Sequence, residues 1–136
     1  RIKKNEGYSD KPYIDQLGFL TIGYGHLIKP DEKYLLKNKI KNKDLKKIFL
    51  HDFNKSANDY NKKLKNYSSK MKDKELLIEM TFQIGINGVL RFKKLLKNIN
   101  KDNKNLVCFE MMDSLWYKQT PYRVKNLVRT FLNNEQ

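Results

Sequence analysis

Leu45, Ile48, Phe49, Phe53, Ala57, Tyr60 and Leu64 recur at three- and four-residue spacing, and the residues between them are mostly Lys, Asn and Asp. That period marks one long amphipathic helix, expected over about residues 44–65. So polar an opposite face predicts exposure along much of its length, and Asn66-Tyr67-Ser68-Ser69 breaks the pattern. Helical spacing then resumes. Leu76, Leu77, Met80, Thr81 and Ile84 predict a helix ended by Gly85 and Gly88, and Phe92, Leu95, Leu96 and Ile99 predict another, closed by the polar run 100–105. Leu106 to Leu115 reads as a third and the most apolar. Thr120-Pro121 offers a capping hydroxyl and then a proline at the first helical position, opening a helix that carries Val124, Leu127, Val128 and Phe131.

The period is different ahead of the long helix. Residues 1–6 read as a short helix stopped by Gly7. Between Lys11 and His26, Tyr13, Ile14, Phe19, Thr21, Ile22 and Tyr24 cluster around the turn material Gln16-Leu17-Gly18. That pattern predicts a small, twisted antiparallel sheet, with Gly23 and Gly25 at tight bends. The fold class expected is α+β, mostly α: an N-terminal lobe over about 1–43, the connecting helix 44–65, and a helical C-terminal lobe over about 70–136. Ligand is expected between the lobes.

Composition narrows the picture. At 136 residues and 39% hydrophobic, the chain is one domain by size, able to bury a core without disulfides or metals. The lone Cys108 lies in the apolar run Leu106-Val107-Cys108-Phe109, so it is expected to be a buried, inert thiol. Apolar runs fall far short of the ~20 residues that span a bilayer, and no stable membrane insertion is expected. No secretory signal is visible, although Arg1 is not an initiator methionine. The formal charge is +14, and only Arg1, Arg91, Arg123 and Arg129 among the basic residues are Arg. Lysine is a point charge, whereas arginine is the fork that reads base edges, so the balance favours general attraction to polyanions over specific nucleic-acid recognition.

Candidate chemistry concentrates near the N-terminus, in Glu6-Gly7, then Tyr13-Ile14-Asp15, then Gly18 and Thr21-Ile22-Gly23-Tyr24-Gly25-His26. Cleaving a glycosidic bond needs two carboxyl groups, one to donate a proton and one to handle water or the cationic sugar. Glu6, at a helix end, suits a general acid whose pKa is raised by partial burial and by the negative end of the dipole. Asp15 and Thr21 face each other across the expected hairpin, where a carboxylate and a hydroxyl can orient one water. Asp10 competes with Asp15, but the loop Ser9-Asp10-Lys11-Pro12 gives it a turn-forming role. With His51 the only other histidine and no metal-spaced cluster, His26 is read as a structural partner of Asp52 rather than a metal ligand. No cofactor or metal is expected.

Three blocks in order resemble the phage-type lysozymes, the T-even bacteriophage lysozyme and endolysin family within glycoside hydrolase family 24. They are the segment from Glu6 to His26 just quoted, Met80-Thr81-Phe82-Gln83-Ile84-Gly85-Ile86-Asn87-Gly88-Val89 with Phe92, and Trp116-Tyr117-Lys118-Gln119-Thr120-Pro121-Tyr122-Arg123. The resemblance implies a two-lobed, lysozyme-like fold. It implies a muramidase that cuts the β-1,4 bond between N-acetylmuramic acid and N-acetylglucosamine, with Glu6 as general acid and Asp15 and Thr21 positioning a water that attacks with inversion. Arg123 matches the family arginine that reaches the catalytic glutamate, His26 and Asp52 match an ion pair near the cleft base, and Leu27, Phe82 and Gln83 match cleft-lining positions. Leu95 and Glu110 stand where the family has small polar or amide groups lining the far cleft.

The partners implied are bacterial peptidoglycan and anionic cell-envelope polymers, for a monomer held in the host cytoplasm before release to the periplasm or cell wall. The runner-up is a non-catalytic, cationic wall-binding or membrane-disrupting protein on the same scaffold.

Overall fold

The computed structural model describes residues 8–14, 20–32, 34–37 and 40–133. The chain divides into two compact units, residues 1–54 and 55–136. The fold is α+β with helices dominant and one three-stranded antiparallel sheet.

The sheet belongs to the first unit. Strands β1 (Ser9–Ile14), β2 (Leu20–Gly23) and β3 (His26–Leu27) lie in that order. Ser9 pairs with Gly23 and Tyr13 with Thr21, and the register shifts between Ser9 and Tyr13. Residues 9–12, expected to form a loop, are therefore part of the strand, and the turn chemistry of that stretch survives as the irregularity. Ser9 Oγ donates to the Lys11 carbonyl (2.6 Å) and accepts from the Lys11 N–H (3.2 Å). Pro12 has no N–H for the ladder, so it is tolerated where the pairing is already broken. The expected turn Gln16-Leu17-Gly18 and the expected helix 1–6 lie outside the described residues.

β2 turns into β3 through Gly23-Tyr24-Gly25. Gly23 has φ +69°, and a Cβ there would stand 3.2 Å from Leu45 Cδ2. Only glycine combines that left-handed backbone with so close an approach to the helix. Leu45 lies on α2 (Asn42–Lys63), the long amphipathic helix, which begins and ends two residues earlier than its periodicity indicated. Asp44 in its first turn and Lys62 and Lys63 in its last complement the helix dipole. Leu45, Ile22 and Leu35 form the buried core of this unit, with Ile28, Ile40 and Ile48 packed against it. Leu35 comes from α1 (Tyr34–Lys37), which follows a 3₁₀ turn at Pro30–Glu32.

The second unit holds the C-terminal end of α2, a 3₁₀ turn at Lys65–Tyr67, and five further helices: α3 (Met71–Leu90), α4 (Lys93–Asn100), α5 (Lys104–Met112), α6 (Leu115–Gln119) and α7 (Pro121–Asn133). Gly85 and Gly88 do not end α3 as expected. Gly85 takes φ +79°, ψ 161°, a conformation essentially reserved for glycine, and the chain re-enters the helix beyond it. The result is a kink rather than a stop.

The helix starts are fixed by side chains. Asn103 accepts from the Leu106 N–H (3.2 Å), and Ser114 accepts from the Tyr117 N–H (3.1 Å). The buried Thr120 hydroxyl turns backward and donates to the Trp116 carbonyl (3.0 Å), tying α6 to the start of α7. The core here is large and apolar: Leu76, Leu77, Met80, Val89, Leu95, Met111 and Leu127 are all essentially inaccessible to solvent. Each such side chain contributes roughly 1.5–3 kcal/mol relative to exposure. Cys108 is buried among them, and burial, against an opposing effect of Lys104, raises its thiol pKa. Among the described residues no helix is long and apolar enough to cross a membrane.

Candidate active site

Of the three residues expected to do the chemistry, Glu6 and Asp15 lie outside the described residues. Thr21 is described. It sits in the middle strand, opposite Tyr13 on β1 and Leu27 on β3, and is only 2% exposed. Neighbouring side chains on a strand alternate between faces, so its successor Ile22 enters the apolar core of the unit while Thr21 takes the other face. The same alternation on β3 buries His26 and leaves Leu27 half exposed. A hydroxyl and an accessible apolar side chain thus stand directly across from each other.

His26 lies between two carboxylates. Its Nδ1 lies 2.7 Å from Asp52 Oδ2, and its Nε2 lies 2.9 Å from Glu32 Oε1. Glu32 Oε1 also accepts the Lys29 backbone N–H at 3.0 Å. Neutral imidazole can donate from only one nitrogen, so two carboxylates on opposite edges favour the imidazolium. Burial opposes that charge, but Asp52 and Glu32 outweigh it and the His26 pKa is raised. Burial likewise pushes Glu32 up, yet the His26 ring and the Lys29 amide prevail and hold it low. A ring engaged in this way is a cationic pin joining β3, the Pro30–Glu32 turn and α2. It has no free lone pair for a metal or a substrate proton.

Glu32 escaped the sequence reading. The only signal for it was an acidic pair, Asp31-Glu32, one turn beyond His26, and spacing does not say which of the two folds back. Also missed was the aromatic row on the same unit. Tyr8 packs on Tyr24 (ring centroids 4.9 Å apart), Tyr24 on Phe49 (5.4 Å, edge-on) and Phe49 on Phe53 (6.3 Å, stacked). The spacing of Phe49 and Phe53 announced a helix face, but nothing in it indicated Tyr24 as the partner.

In the second unit, Gln83 and Trp116 come from separate sequence blocks and meet in space. Trp116 Nε1 donates to Gln83 Oε1 at 3.2 Å, and Phe92 packs edge-on against the indole at 6.1 Å. This bond fixes the orientation of the Gln83 amide and aims its Nε2 elsewhere. That nitrogen, buried at the atom level, has no acceptor among the described residues. Since buried donors rarely go unpaired, it is the group here best suited to bind a carbonyl or hydroxyl oxygen. Phe82, next to it on α3, is partly buried, and Arg123 lies in the first turn of α7, also partly buried. Leu95, one of the two departures from the family's far-cleft residues, is fully buried in the apolar core, whereas Glu110 is partly exposed. The helical period of α4 points Leu95 inward together with Leu96 and Ile99. Among the described residues no three His, Cys, Asp or Glu side chains are grouped to hold a metal ion.

The family model described as phage lysozyme matches residues 3–130. Two curated relatives in Dictyostelium discoideum, probable T4-type lysozymes 1 and 2, are each 29% identical to this chain. Their alignments cover 93% and 96% of it, and 88% and 90% of those proteins. The pre-baseplate central spike protein Gp5 of Enterobacteria phage T4 is 26% identical over 96% of this chain, which matches 27% of that longer protein. The match takes in all three motif blocks and the described residues around Thr21, His26, Gln83 and Trp116, and the chain belongs to the phage lysozyme family.

Proposed function

We propose that this protein is a muramidase that hydrolyses the β-1,4 bond between N-acetylmuramic acid and N-acetylglucosamine in bacterial peptidoglycan. The observation that carries the reading is the family match over residues 3–130, which spans Glu6, Asp15 and Thr21 together. Glu6 is the general acid that protonates the leaving oxygen. Asp15 draws the proton from a water that Thr21 helps to orient, and that water attacks the anomeric carbon from the opposite face. The stereochemistry inverts. Inverting enzymes hold their carboxyls roughly 6.5–9.5 Å apart to admit that water.

Leu27 offers an apolar contact to a sugar face, Phe82 an aromatic one, and Gln83 Nε2 donates to a substrate oxygen. The surroundings of Thr21, Leu27 and Gln83 are consistent with these roles. Thr21 is sterically fixed within the sheet, Leu27 is half exposed beside it, and Gln83 is oriented by Trp116 with a donor to spare. Asp52 and His26 support the sheet that carries Thr21. Wall lysis, release of progeny from a host and antibacterial action are the roles this chemistry would serve.

The test is Glu6→Gln, which keeps the shape of the side chain and removes its proton. The expected result is at least a thousandfold loss of reducing-end release from purified peptidoglycan, with an unchanged circular dichroism spectrum; a general acid alone accounts for about 10²–10⁴-fold. Retained hydrolysis in that variant removes Glu6 from the mechanism. Killing of cells by the variant without release of reducing ends would instead favour a cationic, non-catalytic action.

A further inference from the structure

Two neighbouring helices of the second unit turn unlike faces outward. α4 buries Leu95, Leu96 and Ile99, and its other side carries Lys93, Lys94 and Lys97, with Lys101 at its C-cap. All four lysines are exposed, and no acid interrupts them. α5 packs alongside α4 after a short link and buries Val107, Cys108 and Met111. Its opposite side is apolar as well. Leu106, Phe109 and Met112 recur there every three residues and are exposed, and Leu115 follows three residues on at the start of α6. Phe109 is 57% exposed and Leu115 68%.

A helix that is apolar on both sides is ordinarily buried on both. α5 is not, and its outer stripe leaves water only when something covers it. Three kinds of cover differ in chemistry. A second copy would lay stripe on stripe, but each copy carries a formal +14 and a lysine row beside the stripe, so pairing sets like charges together. Glycan hydroxyls or nucleic-acid phosphates answer the lysines and leave the apolar side chains unmatched. An anionic bilayer surface answers both, because its headgroups carry the negative charge and the acyl boundary just beneath takes Leu, Met and Phe. The acids nearby do not change the sign. Asp102 is paired with Lys70, and Glu110 and Asp113 are matched in number by Lys104 and Lys118 on the same two helices, α5 and α6, and their caps.

We propose that the outward faces of α4 and α5 dock the protein peripherally on an anionic phospholipid bilayer. Lys93, Lys94, Lys97 and Lys101 lie against headgroup phosphates, and Leu106, Phe109, Met112 and Leu115 reach the acyl boundary. Such a contact lies in the interface and needs no spanning helix. It goes beyond the muramidase reading and does not depend on it.

The experiment measures cosedimentation of the full chain with vesicles of phosphatidylcholine alone and of phosphatidylcholine mixed with an equal part of phosphatidylglycerol. The wild-type protein is expected to bind the mixed vesicles, less so as salt rises, and to leave the neutral ones in suspension without it. Phe109→Gln with Leu115→Gln is expected to weaken binding about tenfold. Lys93→Gln with Lys97→Gln is expected to weaken it about tenfold or more at low salt. Two control pairs remove the same kind of surface elsewhere: Leu50→Gln with Met71→Gln takes away exposed apolar area, and Lys46→Gln with Lys47→Gln takes the same charge from the exposed face of α2. Each control is expected to change binding less than about twofold. All the substituted positions are exposed, so circular dichroism spectra should match the wild type.

No binding of the wild-type protein to the mixed vesicles would overturn the proposal. Equal losses in the matched control pairs would also overturn it, by reducing the effect to bulk charge and hydrophobicity. Unchanged binding after Phe109→Gln with Leu115→Gln would remove the apolar stripe from the contact, and equally tight binding to neutral vesicles would remove the lysine row; either result overturns the two-part surface. A concentration-dependent dimer in sedimentation velocity, abolished by Phe109→Gln with Leu115→Gln, would give the face to a second copy. Duplex DNA held as tightly as the mixed vesicles, and weakened by both pairs, would give it to nucleic acid. Loss of peptidoglycan hydrolysis would bear on the muramidase reading alone, since vesicle binding is read without substrate.

Discussion

The two units of this molecule are stabilised by different physics. The first has a small apolar core of Ile22, Leu35 and Leu45, and beside it a buried imidazolium held between Asp52 and Glu32. The second has a broad core of helix-borne Leu, Met, Val, Ile and Phe that also takes in the side chains of Asp73 and Glu79, and its Lys70–Asp102 ion pair is exposed. Buried charge responds to pH, whereas apolar burial does not. Thr21 and Leu27 in the first unit therefore sit on a scaffold whose stability depends on protonation.

The largest effect should come from the second unit. Leu76→Ala, in a fully packed setting, is expected to cost about 3–5 kcal/mol, nearly constant from pH 4 to 9, as read by urea unfolding. His26→Asn should cost about 3 kcal/mol, because it leaves two carboxylates facing each other without their cation. Here the pH profile is the diagnostic. A raised His26 pKa gives stability that is complete below its ordinary value of 6.5 and is lost as pH rises through the folded-state pKa. A lowered Glu32 pKa gives stability that is complete above its ordinary 4.5 and is lost as pH falls through its folded-state pKa. The difference between wild type and His26→Asn should thus be greatest near pH 5–6 and shrink on both sides. A flat difference would erase the contrast between the units.

Gly23→Ala should cost about 1–2 kcal/mol or more, since a left-handed alanine is strained and its Cβ presses on Leu45. Its pH dependence should be absent even though it lies in the first unit, which separates backbone strain from charge. Smallest is Glu32→Gln, expected to cost about 1 kcal/mol near pH 6, measured as a Tm decrease of a few degrees. It keeps the Asp52 contact and removes only the second carboxylate. A loss as large as that of His26→Asn would make Glu32, rather than Asp52, the main partner.

What was legible in the sequence follows the same division. The helices of the second unit were readable because Leu76, Met80, Leu96 and Val124 repeat with a period that packing enforces. Gly85 was misjudged, since a glycine that breaks the dihedrals of a helix looks the same in sequence whether the chain stops or re-enters. In the first unit the sheet was visible from Tyr13, Thr21 and Ile22, but Ser9 to Pro12 resembled a loop because the strand there is irregular. His26 with Asp52 was anticipated, and Glu32 was not. A contact between residues 26 and 32 depends on how the Pro30 turn folds back, and no periodicity encodes that. The Gln83–Trp116 bond joins residues 33 apart in sequence and was hidden for the same reason.

The central claim is hydrolysis of a muramyl linkage by water delivered opposite to a protonated carboxyl. The direct measurement is proton NMR of the first products from a defined muropeptide polymer, recorded before mutarotation, with mass spectrometry to identify the new reducing end. The account predicts an N-acetylmuramic acid reducing end that appears first as the α anomer. Products that begin as the β anomer, or a new N-acetylglucosamine reducing end, would contradict it.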